Sequence, residues 1–433
     1  MPTTTLRGLR FIEGLRKRRS PQMTRRKRLT IFVRSLNSSR IPSHSAYLKY
    51  PLTTRWSSTK TDEGESGLFR QEVAMRIEKI ETITLRHSWG PPEKGVTRDW
   101  TVTRIHADNG MTGIGRGGSA DLTSREFAPL LVGQDPRRVA LLWDRMYRTA
   151  WRFRGPGRAA MTTIGSIDIA LWDLKGKACG EPVWRLLGGV QDRVPVYADG
   201  IGFNTNESPE EVAALVRKHA DQGYRAVKFH LVDPDVDQTM EKVRLSREAL
   251  GPDLKLMVDV HGVWDGPTCV EMARRFNPYD LYWIEEPIPR DDEVGIYRLV
   301  REASNALVAG GEGEGTLYGA QRLITQGGLQ VLQSDIVVAG GYTNLLRMAG
   351  LAEAHRVYIA PHGAQYPDLI CPFLAGVPNG LMSPACPASE PYQIWSKMYS
   401  PRFEVKEGEV QMTEKPGLGL ELDEAFVKEY GVK

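Results

Sequence analysis

The chain is 433 residues long, 41% hydrophobic and 25% charged, with a formal net charge of +4; this argues against a disordered or fibrous protein and leaves room for two or three domains with a substantial core. The charge is uneven: residues 1–60 carry 15 Lys and Arg against one acid, Glu13, which leaves 42 basic and 52 acidic side chains in residues 61–433, a net of −10. That acidic body has no basic stripe interleaved with aromatics, which argues against a nucleic-acid partner, and no run of about 18 apolar residues is present to span a membrane.

Residues 1–74 form the first unit. They are rich in Arg and Ser, nearly free of acids at their start, and contain RKRRS and TRRKR with scattered Leu, Ile and Phe. This is the pattern of a mitochondrial transit peptide, which implies a matrix location. A disordered basic tail, or a translation start at Met75 with a cytoplasmic product, is the alternative.

From Met75 the pattern changes. MRIEKIETITLRHS alternates like a strand, TVTRIHADNGMTGIGRG reads as a hairpin turning at Asn109-Gly110, and helical stretches follow, so residues 75–190 are expected to form an α+β capping domain. Gly113, Gly115 and Gly118 match GxGxxG, but no dinucleotide-binding helix opens on them and no nucleotide cofactor is expected. MTTIGSIDIALWDLKGKACGEPVWRLLGG carries apolar residues at helical spacing up to Gly188-Gly189, with Asp168 and Asp173 expected as hydrogen-bonded structural groups.

Between residues 191 and 395, short β-rich runs alternate with amphipathic stretches. The runs VPVYADG, YRAVKFH, LKLMVDVH, LYWIEEP, NALVAGGEG, LQVLQSD and VYIAPHG are each followed by a helical pattern or a glycine-rich end. This α/β rhythm favours a parallel sheet closed into a TIM-like barrel over an open doubly wound one. Residues 396–433 are read as a carboxy-terminal segment returning to the cap. Cys179, Cys269, Cys371 and Cys386 are far apart and form no CxxC pair, which fits reduced thiols better than disulfides or a zinc site.

The polar residues of the barrel runs cluster at their carboxy-terminal ends, the face on which such barrels build active sites. Asp259, Glu285 and Glu312 end three successive runs, spaced 26 and 27 residues apart. Three oxygen donors with no cysteine suit a hard cation, Mg²⁺ above others. Glu286 is expected to point away from Glu285, because side chains alternate along a strand. Asp335 and His362, one unit apart, can pair so that the carboxylate fixes the imidazole tautomer. Lys228 and His230 share a strand face at i, i+2, and His261 stands two residues after Asp259. A divalent ion facing such bases is suited to removing a proton next to a carboxylate, where a positioned base must act while the charge that develops is stabilised.

With these residues in place, the chain resembles the enolase superfamily, in its mandelate racemase branch. The resemblance runs over roughly residues 75–425 and is carried by IDIALWDLKGK with LLGG, YRAVKFH, MVDVH, WIEEP, GGEGEG, the LQSD and APHG pair, and EKPGLGLELD. It implies an α+β cap, a modified (β/α)7β barrel, and Mg²⁺-assisted abstraction of a proton α to a carboxylate. By position it implies Asp259, Glu285 and Glu312 as metal ligands and Asp335 with His362 as a base and its orienter. Two departures stand out. Relatives often carry Lys-x-Lys where this chain has Lys228 and His230, and a glutamate on the eighth strand where this chain offers Asn379 nearby and Glu390 further on.

Within the branch, GEGEGTLYG, APHG and LMSPACP resemble sugar-acid dehydratases of the rhamnonate type, and DVHG resembles galactonate dehydratases. The expected activity is dehydration of an aldonate or aldarate through an enediolate to a 2-keto-3-deoxy acid. His362 would protonate the leaving hydroxyl, and Lys228, His230 or His261 would remove the proton, with the reverse assignment open. An epimerase, racemase or cycloisomerase through the same intermediate is the alternative, and a non-catalytic scaffold is the third. Arg86, Lys94 and Arg98 in the cap could meet distal hydroxyls of a small-molecule sugar-acid substrate. A homo-oligomer is expected.

Overall fold

An antiparallel sheet opens the fold, built from β1 (Ile77–Trp89), β2 (Val96–Ala107) and β3 (Thr112–Arg116). The computed structural model describes residues 75–432 apart from 90–95, 156, 203–206, 234, 291–292, 387–393, 395–396 and 402–403. The readings of residues 1–74, Lys94 and Glu390 therefore lie outside the described residues. The second hairpin turns where the sequence places it: Gly110 has φ +83°, and the Ala107 N–H donates to the Met111 carbonyl at 2.9 Å. Arg86 is paired within this sheet. It lies opposite Asp99 in the β1–β2 register and holds both of its carboxylate oxygens.

Short helical turns between residues 120 and 131 and two longer helices, α1 (Val139–Arg154) and α2 (Arg158–Cys179), follow in the cap. The GxGxxG match has a packing explanation. A Cβ on Gly115 would lie 1.9 Å from the Ser166 carbonyl oxygen and one on Gly113 would lie 2.1 Å from that of Ala170, so β3 sits directly on the α2 backbone. Helix α2 is buried on most sides and its two aspartates tie it to its surroundings. Asp168 accepts from the Thr343 N–H at 2.9 Å and from its hydroxyl at 2.6 Å, and Asp173 accepts from the Ile114 and Leu418 N–H groups at 3.0 and 2.8 Å. Burial outweighs these bonds and pushes the Asp168 carboxyl up to about 7. The helix ends earlier than its apolar pattern suggests. Gly180 takes the left-handed conformation at φ +70° and Pro182 blocks continuation, so Val183–Leu186 forms a separate turn before Gly188-Gly189.

The barrel alternates β4 (Arg193–Ile201), α3 (Pro209–Asp221), β5 (Ala226–His230), α4 (Val236–Leu250), β6 (Lys255–Asp259), α5 (Gly266–Arg275) and β7 (Leu281–Glu285). It continues through α6 (Glu293–Ala303), β8 (Leu307–Gly310), α7 (Leu317–Thr325), β9 (Val331–Leu332), α8 (Tyr342–Ala354), β10 (Tyr358–Ile359), α9 (Pro367–Gly376) and β11 (Ser383–Ala385). Ser208, Asp235, Asp265 and Thr316 cap their helices by accepting from backbone N–H groups of the first turn. Neighbouring strands pair in parallel in the order β10-β9-β8-β7-β6-β5-β4-β11. A parallel bridge from Ile359 to Gly380 closes the ring. The result is a (β/α)7β barrel, with β11 as the eighth strand that the periodicity did not reveal.

One side chain from each stave plugs the interior: Tyr197, Ala226, Met257, Trp283, Ala309, Val331, Ala360 and Met382. The set mixes large side chains with small ones, as a closed ring of limited radius requires. After β11, the segment β12 (Tyr399–Ser400), β13 (Glu409–Gln411), β14 (Glu421–Leu422) and α10 (Glu424–Tyr430) pairs β13 with the start of β4 and bridges Gly431 to Leu85 of β1. It thus touches both barrel and cap. No helix among the described residues is long and apolar enough to cross a membrane.

Gly115→Ala should lower the unfolding free energy by about 1–3 kcal/mol, the usual cost of forcing atoms into a packed contact, read from the midpoint shift in urea.

Candidate active site

The parallel register sets the site. His230 lies beside Asp259, and Asp259 beside Glu285, at the carboxy-terminal ends of β5, β6 and β7. Lys228, one turn of the pleat below, is 1% exposed, and its ammonium donates to Glu285 Oε2 at 2.9 Å and lies 3.5 Å from Asp259 Oδ2 and Asp199 Oδ2. Burial alone would lower its pKa, but these carboxylates override it and keep the ammonium charged. Among those carboxylates, burial raises Glu285 and the neighbouring Asp259 charge adds to the rise. Asp259, desolvated to the same degree, is held well below the usual range by Lys228 and the adjoining imidazoles.

A second chain of contacts begins at Asp199, on β4. Its Oδ1 pairs with His230 Nε2 at 2.8 Å, and His230 Nδ1 lies 2.7 Å from His261 Nε2, the two rings stacked. His230 is raised to about 9, because Asp199 and Asp259 outweigh its burial; His261, at the mouth, is lowered by its own burial. Asp199 was not singled out in the sequence, although VPVYADG carries it near the end of its apolar run, where the other polar residues stand.

On the far side of the mouth, His362 Nδ1 is 3.0 Å from Asp335 Oδ2 and His362 Nε2 is 3.1 Å from Glu312 Oε2. Burial would lower this imidazole, but the Asp335 hydrogen bond and the Glu312 charge raise it to about 9. Glu312 also pairs with Arg290, whose guanidinium grips Glu286 at 2.8 and 3.0 Å. Glu286, with φ +42°, is turned to Arg290 while Glu285 faces Lys228. Arg290 had no strand-end signal to mark it. Asn379, considered for the eighth strand, is not in the site: its amide donates to the Ala349 and Val357 carbonyls, beside the start of β10 and at the opposite end of the barrel. Among the described residues the end of β11 carries Ser383, Pro384, Ala385 and Cys386, with no carboxylate.

The three carboxylates Asp259, Glu285 and Glu312 thus occupy adjacent staves, but Glu312 is drawn towards Arg290 and His362. The described donors that lie within 4.8 Å of one another are His230, Asp259 and His261. A nitrogen-rich set of that kind suits a softer cation, yet both His230 nitrogens are already engaged, by Asp199 and by His261. The carboxylate set fits a hard cation better. Glu285 Oε1 is buried with no hydrogen-bond partner among the described residues. Asp199, Asp259 and Glu285 surround Lys228, Glu286 and Glu312 hold Arg290, and Asp335 holds His362, so that six carboxylates stand against two permanent cations and the raised imidazoles of His230 and His362. The negative excess is what a divalent ion would neutralise.

Comparison with known proteins identifies the family. Residues 94–188 match the mandelate racemase/muconate lactonizing enzyme N-terminal domain, and residues 211–426 match the enolase C-terminal domain-like family. A 3,6-anhydro-alpha-L-galactonate cycloisomerase of Streptomyces coelicolor is 35% identical, with 74% of this chain and 88% of that protein aligned. A D-galactonate dehydratase of Pectobacterium atrosepticum is 31% identical over 82% of this chain and 94% of its own length. Among solved structures, a racemase from Streptomyces coelicolor with bound magnesium superposes with a TM-score of 0.72 at 29% identity, covering 82% of this chain and all of that one.

Lys228→Met leaves three buried carboxylates without their cation. It should cost about 3–5 kcal/mol of stability in chelator, measured by denaturant unfolding, and addition of a divalent ion should restore part of the loss.

Proposed function

This chain belongs to the mandelate racemase/muconate lactonizing enzyme branch of the enolase superfamily, and on that premise we propose that it is a magnesium-dependent dehydratase of a sugar acid. The observation that carries the reading is the placement of proton carriers on opposite walls. Lys228, His230 and His261 belong to β5 and β6 or the loop after it, while Asp335 and His362 follow β9 and β10, with Glu285 and Glu312 between them. A substrate lying across the mouth would meet a base on one face and an acid on the other, which elimination of an α proton and a β hydroxyl requires.

Asp259, Glu285 and Glu312 would hold the magnesium ion, Glu312 in exchange for its Arg290 pairing. When bound, the ion supplies stabilisation of the second negative charge that develops on the substrate carboxylate. Of the three candidate bases, His261 is the one with an open side, its side chain 31% exposed against 1% for Lys228 and 3% for His230. It takes the α proton on Nδ1, giving an enediolate, in the state in which its Nε2–H donates to Nδ1 of a neutral His230, which orients its ring. His362, held by Asp335, gives its Nε2 proton to the departing β hydroxyl, which leaves as water. The enol left behind tautomerises to a 2-keto-3-deoxy acid. The aldonate and aldarate class is supported by the likeness to a galactonate dehydratase, and the Arg-rich leader supports a matrix location.

A second reading, a cycloisomerase acting through the same enediolate, is supported by the Streptomyces coelicolor relative. Incubation with a panel of aldonates and aldarates separates the two. The dehydratase yields a product lighter by one water, and the cycloisomerase a product of unchanged mass. His362→Asn should lower kcat by about 10²–10⁴-fold, the usual range for a general acid. Magnesium at a hundred times its Kd should stabilise the fold by about 2.7 kcal/mol, and Glu285→Gln should remove most of that gain. A scaffold without a metal site would show no such gain in the unmodified chain.

A further inference from the structure

We propose that Tyr366 is a positioning residue for the Asp335–His362 pair, and that Arg116 of the amino-terminal sheet holds Tyr366 in place. The proposal rests on the reading of His362 as a proton carrier. Asp335 has every lone-pair direction engaged. Its Oδ1 accepts from the Val337 and Val338 N–H groups at 2.8 and 3.0 Å, and its Oδ2 accepts from His362 Nδ1 at 3.0 Å and from the Tyr366 hydroxyl. The two backbone donors fix where the carboxylate sits. The two side-chain donors share one oxygen, so the phenol fixes the direction from which the imidazole can approach it. With Nδ1 bound to Asp335, His362 presents Nε2 to the mouth.

Tyr366 is itself over-determined. It is 6% exposed, and its ring packs closely against Gly363, where a Cβ would come within 2.1 Å of Cε2. That contact, together with φ +129° at Gly363, accounts for the glycine of the APHG run. The Arg116 guanidinium stands 5.3 Å from the Tyr366 ring centroid and 5.1 Å from that of Trp100, and Nη1 donates to the Gln365 carbonyl at 2.7 Å. Arg116 ends β3, is 3% exposed, and is therefore a fixed part of the cap. One continuous run of contacts, Trp100–Arg116–Tyr366–Asp335–His362, connects the cap sheet to the imidazole.

Tyr366→Phe tests the proposal, since it keeps the ring, its seat on Gly363 and its face to Arg116 while deleting one hydrogen bond to a charged oxygen. In the full chain we expect kcat to fall roughly 10- to 100-fold, with KM changed by less than about twofold and the melting temperature nearly unchanged. In protein labelled with ¹⁵N-histidine, the His362 Nδ1–H resonance, identified by its loss in His362→Asn, should move. Arg116→Lys should lower kcat less, and the loss in the double variant should be less than the product of the two single losses. Unchanged kcat together with an unmoved resonance overturns the role of Tyr366, as does a parallel fall of kcat, KM quality and melting temperature. Multiplicative losses overturn the role of Arg116. If no sugar acid is turned over by the unmodified chain, the activity reading fails alone, and the resonance decides the proposal.

Discussion

A buried excess of negative charge governs this structure. Six carboxylates gather at the mouth of the barrel against the fixed charges of Lys228 and Arg290, in a setting where an uncompensated ion costs several kcal/mol. Every other feature of the site follows from relieving it. The ammonium of Lys228 is placed where three acids can share it, Arg290 bridges Glu286 and Glu312, and the imidazoles of His230 and His362 are raised to about 9 by the acids beside them. A Lys228 side chain buried to this degree would be improbable on an apolar strand without those acids, and the acids would be intolerable without it. On the proposed reading, metal binding and proton transfer would be two uses of one electrostatic arrangement.

The barrel supplies the precision this needs. A parallel ladder fixes the relative height of neighbouring residues, so His230, Asp259 and Glu285 arrive at one level because their strands are in register. The layer beneath is filled by one residue from each stave, with the Tyr197 and Trp283 rings packed edge to face at 5.3 Å and the Trp283 indole donating to Glu285 Oε2. The plug is thus both core and floor of the site. The cap is fastened on by groups that would be destabilising elsewhere: glycines that admit the α2 backbone, and the buried aspartates Asp168 and Asp173, which take backbone and hydroxyl donors from barrel, cap and tail.

Much of this was legible in the chain. Period-two runs gave way to alternating strand and helix patterns at the right places, the Asn109-Gly110 turn was clear, and the polar strand ends pointed to one face. The eighth strand escaped because Ser383–Ala385 is three residues of small side chains and proline, too short to show a period. The end of α2 was overestimated because apolar spacing persists beyond Gly180, while a left-handed glycine and a proline decide the break locally. Asn379 was misplaced because distance along the chain says nothing about which end of the barrel a loop occupies. Asp199 carries a usable signal as the acid near the end of VPVYADG; Arg116, Arg290 and Tyr366 carry none, since each acts through a contact made across elements.

The sequence by itself determined the α/β alternation, the family resemblance, and the set of acids and bases at the strand ends, because periodicity and strand polarity are properties of neighbouring residues. Tertiary structure decided which of these groups touch. It set Lys228 among Asp199, Asp259 and Glu285, linked His230 to His261, and turned Glu312 towards Arg290 and His362. Those choices depend on ring closure, register and side-chain direction in a medium of low polarity, where the cheapest pairing of charges is settled by distances of a few ångströms that no one-dimensional pattern encodes.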